Sequence, residues 1–320
     1  MTEHGPFRVT DLTILLIDHH DHRHCYRRRR ACPQTTTITL NSHPPPASPL
    51  RSQVKSKDFR DAHPLSPSAS NIYEYSPEEL VDKALRALQE AGIQLIEWLS
   101  LLHRRMNVPV IIKDFHYLVP DEQLDLAHKV LREDQGLPRS IPPPLLLKTG
   151  GDFYAKASMY RVTRYTSVAL AQHLVLYPAS IASYAPTELE LKSRLTSLSC
   201  PLCETILVPK PPAVYASILR MMRSYTRYAP TRITLESQLS ELIGYHLYGL
   251  EGGYIDTDDE GQCEEFEVDQ HVEEATRIVE EWRATGQLRD EDGWIADTLA
   301  DIVRGKRTVE DVPCLLLQSS

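Results

Sequence analysis

The chain is expected to fold as a mixed α/β domain, an α+β arrangement in which helices cover a mixed sheet, followed by a helical C-terminal extension. Three observations lead there. Capped-helix signals begin abruptly at Ser76, short apolar strands alternate with amphipathic helices from there to Tyr177, and from Pro211 onward the apolar residues recur mainly at helical spacing.

Ser76-Pro77-Glu78-Glu79 places a hydroxyl at the cap, a proline at the first helical position and a glutamate three residues after the cap. A helix follows, with Leu80, Ala84, Leu85, Leu88 and Ala91 on one face and Gly92 as its stop. Gln94 to Trp98 reads as a strand, Leu99 to Met106 as a second helix and Lys113 to Val119 as a second strand. Asp121 is expected to cap the next helix, whose buried stripe is Leu124, Ala127, Val130 and Leu131. The Ile141-Pro-Pro-Pro loop closes that unit. Gly150-Gly151-Asp152 reads as a turn in which the glycines supply positive φ. Ser158 to Thr166 and Val168 to Tyr177 then read as two more strands. Helices are expected over Pro211 to Tyr225, Thr231 to Tyr248, Asp269 to Thr285 and Asp292 to Arg304.

This pattern divides the chain into a basic, proline-rich tail over 1–72, expected to be disordered, an α/β domain over 73–190 and the helical extension over 191–320 with an acidic loop at 256–268. No apolar run reaches the ~18 residues needed to span a bilayer, and the N-terminus lacks the order of a secretory signal. Six scattered cysteines fit a reducing compartment better than a disulfide framework. The expectation is an intracellular protein, cytoplasmic or nuclear, with no membrane partner. A net charge of −9 argues against a general nucleic-acid binder.

Chemistry-bearing residues are sparse. Asp256, Asp258, Glu260 and Glu267, with Gly261, approach the spacing of a calcium loop, although Glu stands at the fifth position and Gly252-Gly253 interrupts the helix that should lead in. A flexible acidic connector accounts for the same residues. Cys200-Pro-Leu-Cys203 is a single CxxC, for which Cys263 and His246 are the distant candidate partners in a zinc site. The run Arg27 to Arg30 and the cluster His19 to Cys25 lie in the tail.

The stretch Asn107 to Leu131, NVPVIIKDFHYLVPDEQLDLAHKVL, resembles the carboxylate-bearing strand of the nucleotidyltransferase fold, the superfamily of DNA polymerase beta. The family pattern there is Pro-Arg-x-Thr-x-Asp-x-Asp, followed by a helix. The likeness covers roughly Tyr73 to Tyr184. A more specific likeness, over about Tyr73 to Lys306, is to fungal proteins of this kind that share "VPKPPAVYASILRMM" and "LSELIGYHLYGLEGGY", runs present here between Val208 and Tyr254. The resemblance implies two divalent ions, Mg²⁺ or Mn²⁺, held by three acids, with a Gly-Gly or Gly-Ser turn admitting a nucleotide triphosphate. Pro109 and Asp114 match the family, whereas Val110, Ile112 and His116 replace its arginine, threonine and second acid. The strand His173 to Tyr177 lacks the third acid, and Glu97 and Trp98 stand near the expected glycines.

One acid of three implies a fold retained without metal chemistry, acting as a binding or regulatory module with no cofactor and a nucleotide-like ligand or protein partner in the former cleft. Two rivals are carried. In one, Asp114 and His116 recruit Glu97 or Asp152 to rebuild a metal site for an active nucleotidyltransferase. In the other, the acidic loop and basic tail make the chain an adaptor.

Overall fold

The computed structural model describes residues 72–250 and 268–314. The basic tail with its histidine and arginine clusters, the candidate calcium ligands Asp256, Asp258, Glu260 and Glu267, and Cys263 lie outside those residues. Seven strands form one sheet in the order β3-β4-β5-β2-β1-β7-β6. They are β1 (Ile96–Glu97), β2 (Phe115–Val119), β3 (Arg139–Ser140), β4 (Ser158–Arg161), β5 (His173–Pro178), β6 (Leu189–Ser193) and β7 (Thr205–Pro209). β2 runs parallel to β5 and antiparallel to β1, and β1 runs parallel to β7, so the sheet is mixed as expected.

The first helix, α1 (Pro77–Glu90), begins where its signals lie. Ser76 Oγ accepts from the Glu79 amide at 3.3 Å, and the Ser76 amide donates to Glu79 Oε2 at 2.7 Å, which satisfies two free donors reciprocally. Its buried face is Leu80, Val81, Ala84, Leu85 and Leu88; Ala91 is exposed past the end, and Gly92 stops the helix at φ +76°. Helix α2 (Ser100–Arg105) joins β1 to β2. Asp121 does not cap the next helix. Its carboxylate accepts from the Ser180 amide at 3.0 Å and Ser180 Oγ at 2.6 Å, tying the exit of β2 to that of β5. The chain enters α3 (Leu124–Lys129) through Pro120 and a 3-10 turn instead.

The proline loop and the expected glycine turn carry two short helices, α4 (Pro144–Thr149) and α5 (Asp152–Ala155). Beyond them β4 and β5 are shorter than their apolar runs, because Thr163 Oγ1 accepts from the Gln172 amide at 3.2 Å and closes the intervening segment as a loop. β6 and β7 arise within a stretch read as mainly helical. β6 is an edge strand, LELKS, whose alternation of Leu189 and Leu191 with Glu190 and Lys192 is too brief to stand out; β7 is equally short and ends at Pro209.

Helices α6 (Pro211–Arg223) and α7 (Pro230–Leu242) follow, the latter continued by a π-helical turn over Ile243–Leu247. The last two helices, α8 (Val268–Ala284) and α9 (Gly293–Val303), pack against one another. Sheet and C-terminal helices share one apolar core, joining Tyr117 and Leu176 to Tyr215, Leu239, Trp282 and Leu299. Ion pairs fix elements within it: Asp82 to Arg194 at 2.6 Å, and Arg220 to Glu188 at 2.8 Å and Asp292 at 2.6 Å. Among the described residues no helix is long and apolar enough to cross a membrane.

Candidate functional site

Asp114 and His116 are two residues apart at the start of β2, so both side chains leave the same face of the sheet. β5 lies beside them in parallel register, His116 opposite Val175 and Phe115 opposite Leu174. The strand expected to carry a third acid gives Asp114 a histidine. Asp114 Oδ1 accepts from the His173 amide at 2.8 Å and lies 3.1 Å from His173 Nδ1. Burial raises the Asp114 carboxyl, but the His173 hydrogen bonds and the fields of His116 and His173 together outweigh it, leaving the group below its ordinary 3.8 and ionised at neutral pH. Asp114 Oδ2 makes no hydrogen bond among the described residues, and the side chain keeps 21% of its surface exposed.

His116 Nδ1 and the Tyr177 hydroxyl share a hydrogen bond at 3.3 Å, with the rings stacked 5.9 Å apart. Burial pushes His116 down to about 4, so it is an uncharged imidazole at pH 7. Behind it on α2, His103 is pushed to about 4 for the same reason, with repulsion from His116 adding to it.

Asp114, His116 and Tyr177 open onto a cavity of about 180 Å³. Met159 and Val175 from the sheet, Phe153 and Tyr154 from α5, and Thr234 and Gln238 from α7 complete it. The two α7 residues are four apart and therefore on one helical face. Helix α5 is held in place by its own first residue. The Asp152 amide donates to Thr231 Oγ1 at 2.9 Å, while the Asp152 carboxylate accepts from the Tyr225 hydroxyl at 2.7 Å and pairs with Lys156 at 2.8 Å. Gly151 makes the close approach possible: its φ is +53°, and a Cβ there would come within 2.3 Å of Thr231 Oγ1.

Trp98 is buried where the resemblance expects small residues. Its indole stands edge-on to Tyr177 at 4.7 Å and 5.8 Å from Phe153, backing the aromatic wall. The next residue, Leu99, lines the cavity at φ +49° and ψ −126°, a backbone state that glycine adopts readily and leucine does not. Leu99 thus combines a glycine-like backbone with a large side chain.

The acids available for a rebuilt metal site are engaged elsewhere. Both oxygens of Glu97 are taken by Arg105, at 2.7 and 2.8 Å, and Asp152 is committed as described. Among the described residues, no three His, Cys, Asp or Glu side chains converge as a metal site would require. A hard divalent ion wants several oxygen ligands. The donor set here, one carboxylate bound to a histidine and one neutral imidazole bound to a phenol, does not fit it. Cys200 and Cys203 are free thiols, exposed and buried respectively; their loop is held by Asp82, which accepts from the Leu202 and Cys203 amides. His246 is bound to Tyr215 instead.

A larger recess of about 270 Å³ lies between α8 and α9, away from these groups. Its rim charges are closed on one another as Arg283 with Asp297 and Arg304 with Glu280, which leaves the smaller cavity as the chemically richer site.

Sequence reasoning singled out Asp114 and His116 but not the rest of the wall. His173, Val175 and Tyr177 share the face of Asp114, but Leu174 and Leu176 make the opposite face apolar as well, so β5 read alone carries no period-two signal. Tyr154, Thr234 and Gln238 carry none either. Comparisons of the chain with protein-family models, with curated proteins and with solved structures returned no match.

Proposed function

We propose that the protein is a small-molecule-binding module, built on a nucleotidyltransferase-like core whose cleft no longer serves nucleotide transfer. The observation that carries this reading is the cavity itself. It forms at Asp114 and His116, where the resemblance expects the reaction centre, but at about 180 Å³ it is well below the ~300–1,000 Å³ of common ligand pockets. Among the described residues its lining includes no arginine, lysine or glycine to receive phosphates. A cavity of about 150 Å³ accommodates benzene, so the ligand is a molecule of that order rather than a nucleoside triphosphate.

Two further features support the reading. The glycine-like backbone at Leu99 is what remains of a tight turn when its glycine is replaced, and the indole of Trp98 fills adjacent space. The engagement of Glu97 and Asp152 speaks against the active-enzyme alternative, which needs one of them beside Asp114 and His116.

The test is a ligand-observed NMR screen of small fragments against the full chain and a cavity-filling variant, Thr234→Phe, alongside calorimetric titration with ATP, GTP, CTP and UTP in Mg²⁺ and in Mn²⁺. Fragment binding that Thr234→Phe abolishes, with no nucleotide binding, is expected. Metal-dependent nucleotide binding or turnover that disappears in Asp114→Ala would overturn the reading in favour of an active enzyme.

A further inference from the structure

The charge and ring content of the cavity define its ligand more closely than size alone. Among the described residues Asp114 is the one carboxylate on the wall, and no lysine or arginine lines it. Its Oδ1 is engaged by His173, and Oδ2 has no hydrogen-bond partner among the described residues. His116 contributes an uncharged ring, and the hydroxyl of Tyr177 is spent on it. Thr234 and Gln238 are neutral. An anionic ligand would be repelled by the carboxylate at short range, and a wholly apolar one would strip water from it without replacement.

The remaining wall is aromatic. Phe153, Tyr154, Tyr177 and the ring of His116 surround the space, with Trp98 packed behind Phe153 and Tyr177 to fix their planes. Ring faces attract cations through their quadrupole, most strongly when water is excluded, and a single carboxylate beside several aromatic faces is the arrangement that recognises alkylated ammonium groups. The thioether of Met159 adds a polarizable, adaptable surface.

Resting on the small-molecule reading above, we infer that the cavity selects a small organic cation, an alkyl- or arylammonium compound of about ten non-hydrogen atoms or fewer. The ammonium group pairs with Asp114 Oδ2 while its carbon substituents lie against Tyr154, Phe153 and Tyr177. The same charge arrangement excludes phosphates and carboxylates, which ties the loss of nucleotide handling to the gain of a different ligand class.

The experiment is calorimetric titration of the full chain with tetramethylammonium, choline and benzylammonium, each set against a neutral or anionic counterpart: 3,3-dimethylbutan-1-ol, benzyl alcohol and benzoate. The expected result is that at least one cation binds about tenfold or more tightly than its neutral counterpart, with no benzoate binding. Asp114→Asn, which keeps the acceptor for the His173 amide and removes the charge, should erase that preference. Tyr154→Leu, which keeps apolar volume without a ring, should weaken the cation severalfold and serves where the asparagine variant fails to fold. Neutral compounds binding as tightly as the cations, and displaced in Thr234→Phe, would overturn the cation inference while leaving the small-molecule reading standing. Absence of binding by every probe overturns the inference as well, and a silent fragment screen beside it removes the underlying reading.

Discussion

Acidification should destabilise this protein through His103, and the size of the effect follows from the burial of one ring. His103 on α2 keeps only 6% of its surface exposed. Desolvation, with a smaller contribution from His116, pushes it from its ordinary 6.5 to about 4. Between those two values the unfolded chain binds a proton that the folded chain refuses, so stability is full above the unfolded value and is lost as pH falls towards the folded one. The whole gap corresponds to about 3 kcal/mol, of which about 2 kcal/mol is lost between pH 8 and pH 5. His103→Leu keeps the volume and removes the titration. Urea unfolding of both proteins across that range should show the variant gaining about 2 kcal/mol on the wild type as pH drops from 8 to 5. His116 is shifted to about 4 as well, but it titrates in both proteins and cancels in the difference. Depressed carboxylates such as Asp114 lose their contribution only near and below 3.8, outside the window. Parallel profiles for the two proteins, within about 0.5 kcal/mol, would refute a buried neutral His103.

Two other perturbations probe the frame around the site. Leu99→Gly and Leu99→Ala both delete the side chain, but only glycine relaxes the φ +49° backbone, so the glycine variant should be the more stable of the two by about 1 kcal/mol or more in urea unfolding; equal stabilities would mean that the turn stores no strain. Arg232 is wholly buried, paired with Glu236 at 2.8 Å and donating to the carbonyls of Met222 and Val312 at 2.7 Å each. Arg232→Met should cost about 3–5 kcal/mol and raise amide exchange over residues 309–313; a loss under about 1 kcal/mol would show that this arginine does not anchor the segment.

How far the chain could be read in advance depended on the range of the forces involved. The capping box at Ser76 and the apolar stripes of α1, α6 and α7 are local, and they appear where the residues place them. Asp121 shows the limit: its side chain satisfies an N-cap rule, yet Ser180, fifty-nine positions away, offers two donors and wins. β6 and β7 were hidden for a similar reason. A five-residue edge strand with only two apolar residues is a strand because β7 pairs with it, and β7 is placed by β1. The site followed the same division. Asp114 and His116 stood out by type and spacing, whereas the wall from α5 depends on Asp152 finding Thr231 and Tyr225 across the chain.

The fate of the acids ties the fold to the proposed function. A two-metal transfer site needs carboxylates that share a face and lack internal partners, a costly arrangement that the ions themselves repay on binding. In this chain each acid near the cleft has such a partner already. Glu97 is wholly buried and held by the guanidinium of Arg105, Asp152 is used to lock α5 onto α7, and Asp114 has one oxygen bound by His173. Acids already partnered in this way from within the protein leave a metal ion less to gain by entering. On the proposed reading, the carboxylate of Asp114 on an aromatic cavity wall favours a cation with an apolar body, the group that best offsets its desolvation there.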